Sequence, residues 1–302
     1  MNLSERQVQT PVGSAPVPVP RAQPLGPDSL TWRLGLPRTA LLLAGRGLLL
    51  QTMHPVIGAG VRDFSTFKSD PWGRLDRTLV SLQLQLFGGT KSVDEAQRLR
   101  RMHRAMRGIG FSGEPYSALD PAAYTWVHLS NFDTLLCFHR WFASPLSSGK
   151  QERLYGEWRQ AGRVLGIRDA DMPADLGAFR TYVSDVVAHV LSDNQTARQL
   201  LLSLRLDEVG PPPWRLFPEP LWRALRPLGR SVLHDTTVGT LPTSLRQQLG
   251  LPWTGADRRR LRGTAVLVRA ASAPMPDQLL HYPLAAQARR EARRDRSSRN
   301  VS

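Results

Sequence analysis

The sequence predicts an all-α, bundle-like domain, and three observations carry that reading. Apolar residues recur at helical spacing along most of the chain, and two Asp-Pro pairs stand where helices would begin. No run alternates apolar and polar residues for long enough to build a sheet. No repeat of fixed period is present, which argues against a solenoid. At 302 residues and 41% hydrophobic content the chain can bury a sizeable core. The expected organisation is a disordered Pro-rich leader over 1–29, one helical domain over 30–285, and a basic disordered tail over 286–302. The leader carries prolines at 11, 16, 18, 20, 24 and 27, and the tail is a run of arginines.

Taken in order, Pro37 opens a helix that runs to about Met53 and is stopped by Pro55, leaving His54 at its C-terminus. The apolar run from Ala40 to Met53 is broken by Gly45-Arg46-Gly47, which makes it too short for a membrane span and suited to a buried or interfacial helix. Val56 to Val61 is small and glycine-punctuated, as where backbone approaches another group closely. Asp70-Pro71 starts a helix that ends at Phe87 before two glycines, with Leu75, Leu79, Leu82 and Leu86 as one stripe. Arg74, Arg77 and Thr78 share a different face of it.

Ser92 and Glu95 read as a capping box for a helix to about Ile109. Its inward stripe is Val93, Ala96, Leu99, His103 and Met106, so His103 is the one polar residue on an apolar face. Asp120-Pro121 starts the next helix. From Tyr124 to Phe142 it is apolar on nearly every side, as a central helix is, and it carries His128 one turn from Tyr124. Three further helices fit between 147 and 209, and helical segments at Leu221–Val232 and Leu241–Leu249 follow a proline-rich connector.

The net charge of +15 raises the question of nucleic acid, but part of the excess lies in the terminal run from Gln287 to Arg296 and more in Arg258–Arg262, and with lysine only at 68, 91 and 150 arginine supplies the cations. The reading is no specific nucleic-acid partner, with weak contact of the basic tail on an anionic membrane surface left open. The single Cys137 excludes a disulfide framework and a cysteine-cluster metal site, and Met1 to Asp28 lacks the basic start and apolar core of a secretory signal. A cytoplasmic protein, peripheral to a membrane at most, is the expectation. No His-Glu-x-x-His, Cys-x-x-Cys-His, Glu-x-x-His pair, Gly-x-Gly-x-x-Gly, P-loop or serine nucleophile elbow is found.

Two alternatives stand for the histidine on the buried face. His103 either makes a structural hydrogen bond or serves as an axial haem ligand, which needs a neutral ring nitrogen facing a flat apolar slot. Arg74 and Arg77 are likewise either solvated helix cations or donors for haem propionates and bound oxygen.

Motif order then adds a family. Met53-His54-Pro55, Asp70-Pro71-x-x-Arg74-Leu75-x-Arg77-Thr78, Phe87-Gly88, Met102-His103-x-x-Met106-Arg107-Gly108, Tyr116-x-Ala118-x-Asp120-Pro121, Trp126-Val127-His128 and Thr237-Val238-Gly239-x-Leu241-Pro242 together resemble the MpaB/rubber-oxygenase family over roughly residues 30–285. The resemblance implies a globin-like helical core with additional helices and a non-covalent haem b. It also implies cleavage of carbon–carbon double bonds with dioxygen as co-substrate. In the family's terms His103 is the metal ligand, Arg107, His54 and His128 belong to the cofactor pocket, and Arg74, Arg77 and Thr78 line the oxygen face. Arg77 stands where the family has lysine, and Phe64 where relatives often have histidine. The implied substrate is a small apolar alkene or isoprenoid. The competing reading is a non-catalytic protein that binds haem or a hydrophobic ligand.

Overall fold

Caps and prolines decide where most elements begin. In the computed structural model, which describes residues 22–213 and 218–299, Ser29 accepts a hydrogen bond from the Trp32 amide and opens α1 (Leu30–Leu34). A 3-10 stretch, Arg38–Leu43, passes directly into α2 (Ala44–Thr52), and α3 (Pro55–Phe64) follows. Pro55 occupies the first turn of α3, so His54 is the N-cap of a new helix rather than the end of the previous one. Proline lacks only an N–H that would be unpaired there, so it starts a helix as readily as it stops one. The glycine-punctuated segment from Val56 to Val61 is accordingly helical.

Asp70 accepts from the Gly73 amide at 2.9 Å and starts α4 (Pro71–Phe87), and Asp120 does the same through Ala123 for α6 (Pro121–Phe142). Between them lie α5 (Lys91–Arg104) and an antiparallel hairpin of β1 (Arg107–Ile109) and β2 (Pro115–Ser117). The remaining elements are α7 (Ser148–Leu165), α8 (Leu176–His189), α9 (Gln195–Ser203), α10 (Glu219–Thr240), α11 (Thr243–Gln248), α12 (Gly255–Ser272), α13 (Asp277–Leu280) and α14 (Pro283–Arg299). The class is all-α, with that hairpin as the one sheet among the described residues.

Three further expectations change. The helix carrying His103 stops at Arg104 and the chain turns into the hairpin. Gly108 lies so close to the Tyr116 ring and the Asp63 carboxylate that a Cβ would meet them at 2.9–3.0 Å, and Gly113, at φ +90°, reverses the chain. The Ser92/Glu95 capping box does not form. Ser92 donates to Gly89 O, and the buried Glu95 instead accepts from Ser81 at 2.5 Å and from Arg98, tying α5 to α4.

The third change is at the ends of the domain. Residues 286–299 were expected to be disordered, but they continue α14, whose Ala285, Ala288 and Ala292 are buried in the core beside α1 and α4. Small side chains on one face allow that approach while the arginines stay on the other. Arg289 donates to the carbonyls of Arg33 and Leu34, and with Arg293 it pairs with Asp277. Residues 1–21 of the expected leader lie outside the described residues. Residues 22–29 are packed, with Leu25 buried and the Gln23 and Asp28 carbonyls held by Gln160 and Arg153 of α7.

α6 is the central helix. Trp126 donates its indole N–H to Leu50 O of α2 at 2.7 Å, and Phe132 packs among the rings of Tyr155, Trp158 and Phe179. Arg46, which interrupts the apolar run of α2, is 5% exposed and ion-paired with Asp133 at 2.5 Å. Gly45 beside it lets α2 approach Thr237 of α10. Among the described residues no single helix is long and apolar enough to cross a membrane; Arg38–Thr52 and Pro55–Phe64 together have the length and composition but are bent by 108°.

Candidate functional site

The N-terminal end of α6 is where the sequence-predicted residues gather. Ser65 caps the C-terminus of α3, and the loop from it to Asp70 is tied back to α4. Arg74 donates to Ser65 Oγ at 3.2 Å and to Thr78 Oγ1 at 2.6 Å, while Thr78 donates to the Arg74 carbonyl at 2.8 Å. This is the i, i+4 pair that the helical spacing anticipates. Arg77 turns the other way, to Asp70 and Thr66 at 3.0 Å each, with its side chain 57% exposed.

Among the described residues Arg74 makes no ion pair. Burial, and then the neighbouring charge of Arg77, hold its pKa below the usual arginine value, yet it remains a cation at neutral pH. That charge reaches α5. His103, on the last turn, is held below its ordinary 6.5 first by burial and then by the charges of Arg74 and Arg98. Its imidazole is therefore neutral at pH 7, which is the metal-binding form. It meets the Tyr124 ring edge-to-face at 5.8 Å, and its Nδ1 is buried with no hydrogen-bond partner among the described residues.

His54 reaches the same end of α6 from α3. It is 6% exposed, its Nδ1 is also buried without a partner among the described residues, and burial lowers its pKa against the opposing pull of the Asp120 carboxylate. His54 and His103 thus flank the first turn of α6, one near Asp120 and the other on Tyr124.

The structure separates two predicted residues from this group. His128 is part of a clasp between α6 and α7: its Nε2 lies 2.9 Å from Trp158 O, its ring stacks on that indole at 5.4 Å, and Trp158 Nε1 donates to His128 O at 3.0 Å. Burial takes its pKa to about 4, the Trp158 carbonyl pulling the other way, so the neutral ring donates to that carbonyl. Arg107 sits exposed on β1 opposite Ser117, off the helix that carries His103, because α5 ended three residues earlier. Sequence reasoning also missed Ser65, which holds Arg74, and Tyr124, which fixes the edge of His103. Tyr124 was findable, one turn after a capped Asp-Pro start.

Among the described residues, no three His, Cys, Asp or Glu side chains come together as a metal site. A cofactor that brings its own ring of nitrogen ligands asks the protein for only one imidazole.

Residues 32–270 match the family described as ER-bound oxygenase mpaB/B'/Rubber oxygenase, catalytic domain, and the chain belongs to that family. Uncharacterized proteins of Mycobacterium bovis and Mycobacterium tuberculosis are each 24% identical over 247 residues, covering 78% of this chain and 90% of theirs. No solved structure matches the chain at a significant level. The fold and the Arg74, Thr78 and His103 cluster therefore lie within an oxygenase catalytic domain.

Proposed function

We propose that this oxygenase uses haem b, held by His103, to cleave the double bond of a small apolar alkene or isoprenoid with dioxygen. The observation that carries the reading is the pairing of a neutral His103, whose buried Nδ1 has no partner, with the nearby uncompensated charge of Arg74. Buried polar atoms are nearly always paired, so an orphan beside an unneutralised cation fits a site that binds an anionic, metal-bearing group. When bound, haem supplies the redox chemistry by which dioxygen attacks a carbon–carbon double bond.

The protein's own groups have separate tasks in this reading. His103 ligates through a neutral ring whose plane the Tyr124 edge constrains. Arg74 provides positive charge where oxygen atoms become negative, and the hydroxyls of Ser65 and Thr78 hold its guanidinium in one orientation before reaction. Arg77 already serves Asp70 and Thr66 and lies toward solvent, so the family lysine's position is filled here by a residue that braces the loop. His54 walls the site beside Asp120. Oxidative cleavage balances with one oxygen atom on each carbon of the former double bond, giving two carbonyls.

Protein purified from haem-supplemented cells and assayed as the pyridine haemochrome is expected to contain about one haem b per chain. A colourless protein that also takes up no added haemin overturns the proposal.

A further inference from the structure

The opposite end of α6 holds a second cleft with a different character. A chamber of about 550 Å³ is lined by residues that include Leu136, Leu146, Leu241 and His139, with the Arg46–Asp133 pair also in its wall. It shares Arg140, Trp141 and Gly239 with an adjoining cavity of about 300 Å³, whose other walls include Arg246, Trp253, Arg258 and Arg262. From Tyr124 to Arg140 is 16 residues, about 24 Å along the helix. This cleft is therefore separate from the His103 cluster.

Its charge is one-sided. Among the described residues, four arginines and no carboxylate line the smaller cavity. Among the described residues, Arg140, Arg258 and Arg262 make no ion pair, while Arg260, between the last two in sequence, is clamped by Asp235 and Asp257. Arg246 donates to the carbonyls of Val238 and Leu241 and to the Thr243 hydroxyl, none of which neutralises it. A cleft lined by one sign of charge focuses its field on a ligand of the other sign.

The walls are built rather than incidental. The Trp253 indole lies against Gly239, where any Cβ would strike it, and Arg246 sits over the same ring at 5.9 Å. In the larger chamber His139 is nine-tenths buried and its Nδ1 has no partner among the described residues. Cavities of a few hundred Å³ with an apolar wall and a few convergent polar groups are the usual form of small-molecule sites.

We propose that this cleft binds an anionic amphiphile. The phosphate or carboxylate head sits on Arg140, Arg258 and Arg262, and the apolar body lies in the chamber against Leu136, Leu146 and Leu241. Guanidinium forks match such oxyanions in geometry as well as charge. Trp141, common to both cavities, bridges head and body.

Dodecyl phosphate, titrated by calorimetry into the full-length protein below its micellar concentration, tests this. Saturable binding is expected, at least about tenfold weaker in the Arg258→Ala/Arg262→Ala double variant, which removes only exposed side chains. Inorganic phosphate and dodecanol should each bind more weakly than the whole molecule. His103→Ala should leave the binding unchanged, which keeps this result independent of the haem reading. Vesicles of phosphatidate and phosphatidylcholine form the second arm. Binding to vesicles without binding of monomeric dodecyl phosphate overturns the proposal, as does equal affinity in the double variant or affinity fully accounted for by phosphate alone.

Discussion

His103 meets α6 at Tyr124 and His128 joins α6 to α7 one turn further along, yet the two contacts treat their imidazoles in opposite ways. His128 has both a carbonyl partner and a stacked ring in Trp158, and Trp158 returns a hydrogen bond to the His128 carbonyl. His103 has an aromatic edge and a nearby cation, but its Nδ1 is left with no partner. His128 is buried in the apolar central helix, whereas His103 is half-buried on a face of α5 that also carries Ser92 and Glu95. What separates them is whether the protein itself completes the imidazole's hydrogen bonding.

Truncating the completed one should have the largest effect on stability. His128→Ala removes a fully embedded ring, its contact with the Trp158 carbonyl and its stacking on the indole, and opens a cavity, for an expected loss of about 3 kcal/mol in chemical denaturation. A loss under about 1 kcal/mol would mean that the clasp contributes little and would weaken the contrast with His103.

Acid should act next, through the same residue. The unfolded His128 takes up a proton near 6.5 and the folded one only near about 4, so the unfolded state binds more protons between those values. Stability is therefore whole above about pH 6.5 and falls as the pH drops toward about 4. At pH 5 the loss from His128 is about 2 kcal/mol relative to pH 7, read from urea midpoints. His281, brought to about 4 by burial and then by Arg289, adds in the same direction. A flat profile between pH 7 and pH 5 would contradict a buried, neutral His128.

The smallest effect sharpens the other side of the comparison. Because Arg74 is the second cause, after burial, of the lowered His103 pKa, Arg74→Ala should raise the His103 titration part of the way toward 6.5 in the haem-free protein, followed by NMR. An unmoved titration would place Arg74 too far away to act on that ring.

Much of this arrangement was legible before any coordinates. The Asp-Pro starts at 70 and 120 carry both a cap and a preset first turn, so α4 and α6 begin where read, and the i, i+4 spacing put Arg74 and Thr78 together. What was not legible depends on partners distant in sequence. Glu95 matches a local capping pattern but is taken by Ser81 across the α4–α5 contact. His128 is settled by Trp158, which lies 30 residues away. The early end of α5 follows from Gly108 under the Tyr116 ring. The ordered tail did leave a trace, Ala285, Ala288 and Ala292 at helical spacing, which the density of arginines obscured.

The proposal that His103 would hold a haem is the one most open to a direct test. Haemin titrated into the wild-type chain and into His103→Ala, with the Soret spectrum recorded before and after dithionite, tests it directly. The account predicts a stoichiometric endpoint and a ligand-shifted Soret band for the wild type, and loss of both in the variant, whose thermal melt shows that it remains folded. A His103→Ala protein that binds haem stoichiometrically with an unchanged spectrum would contradict it.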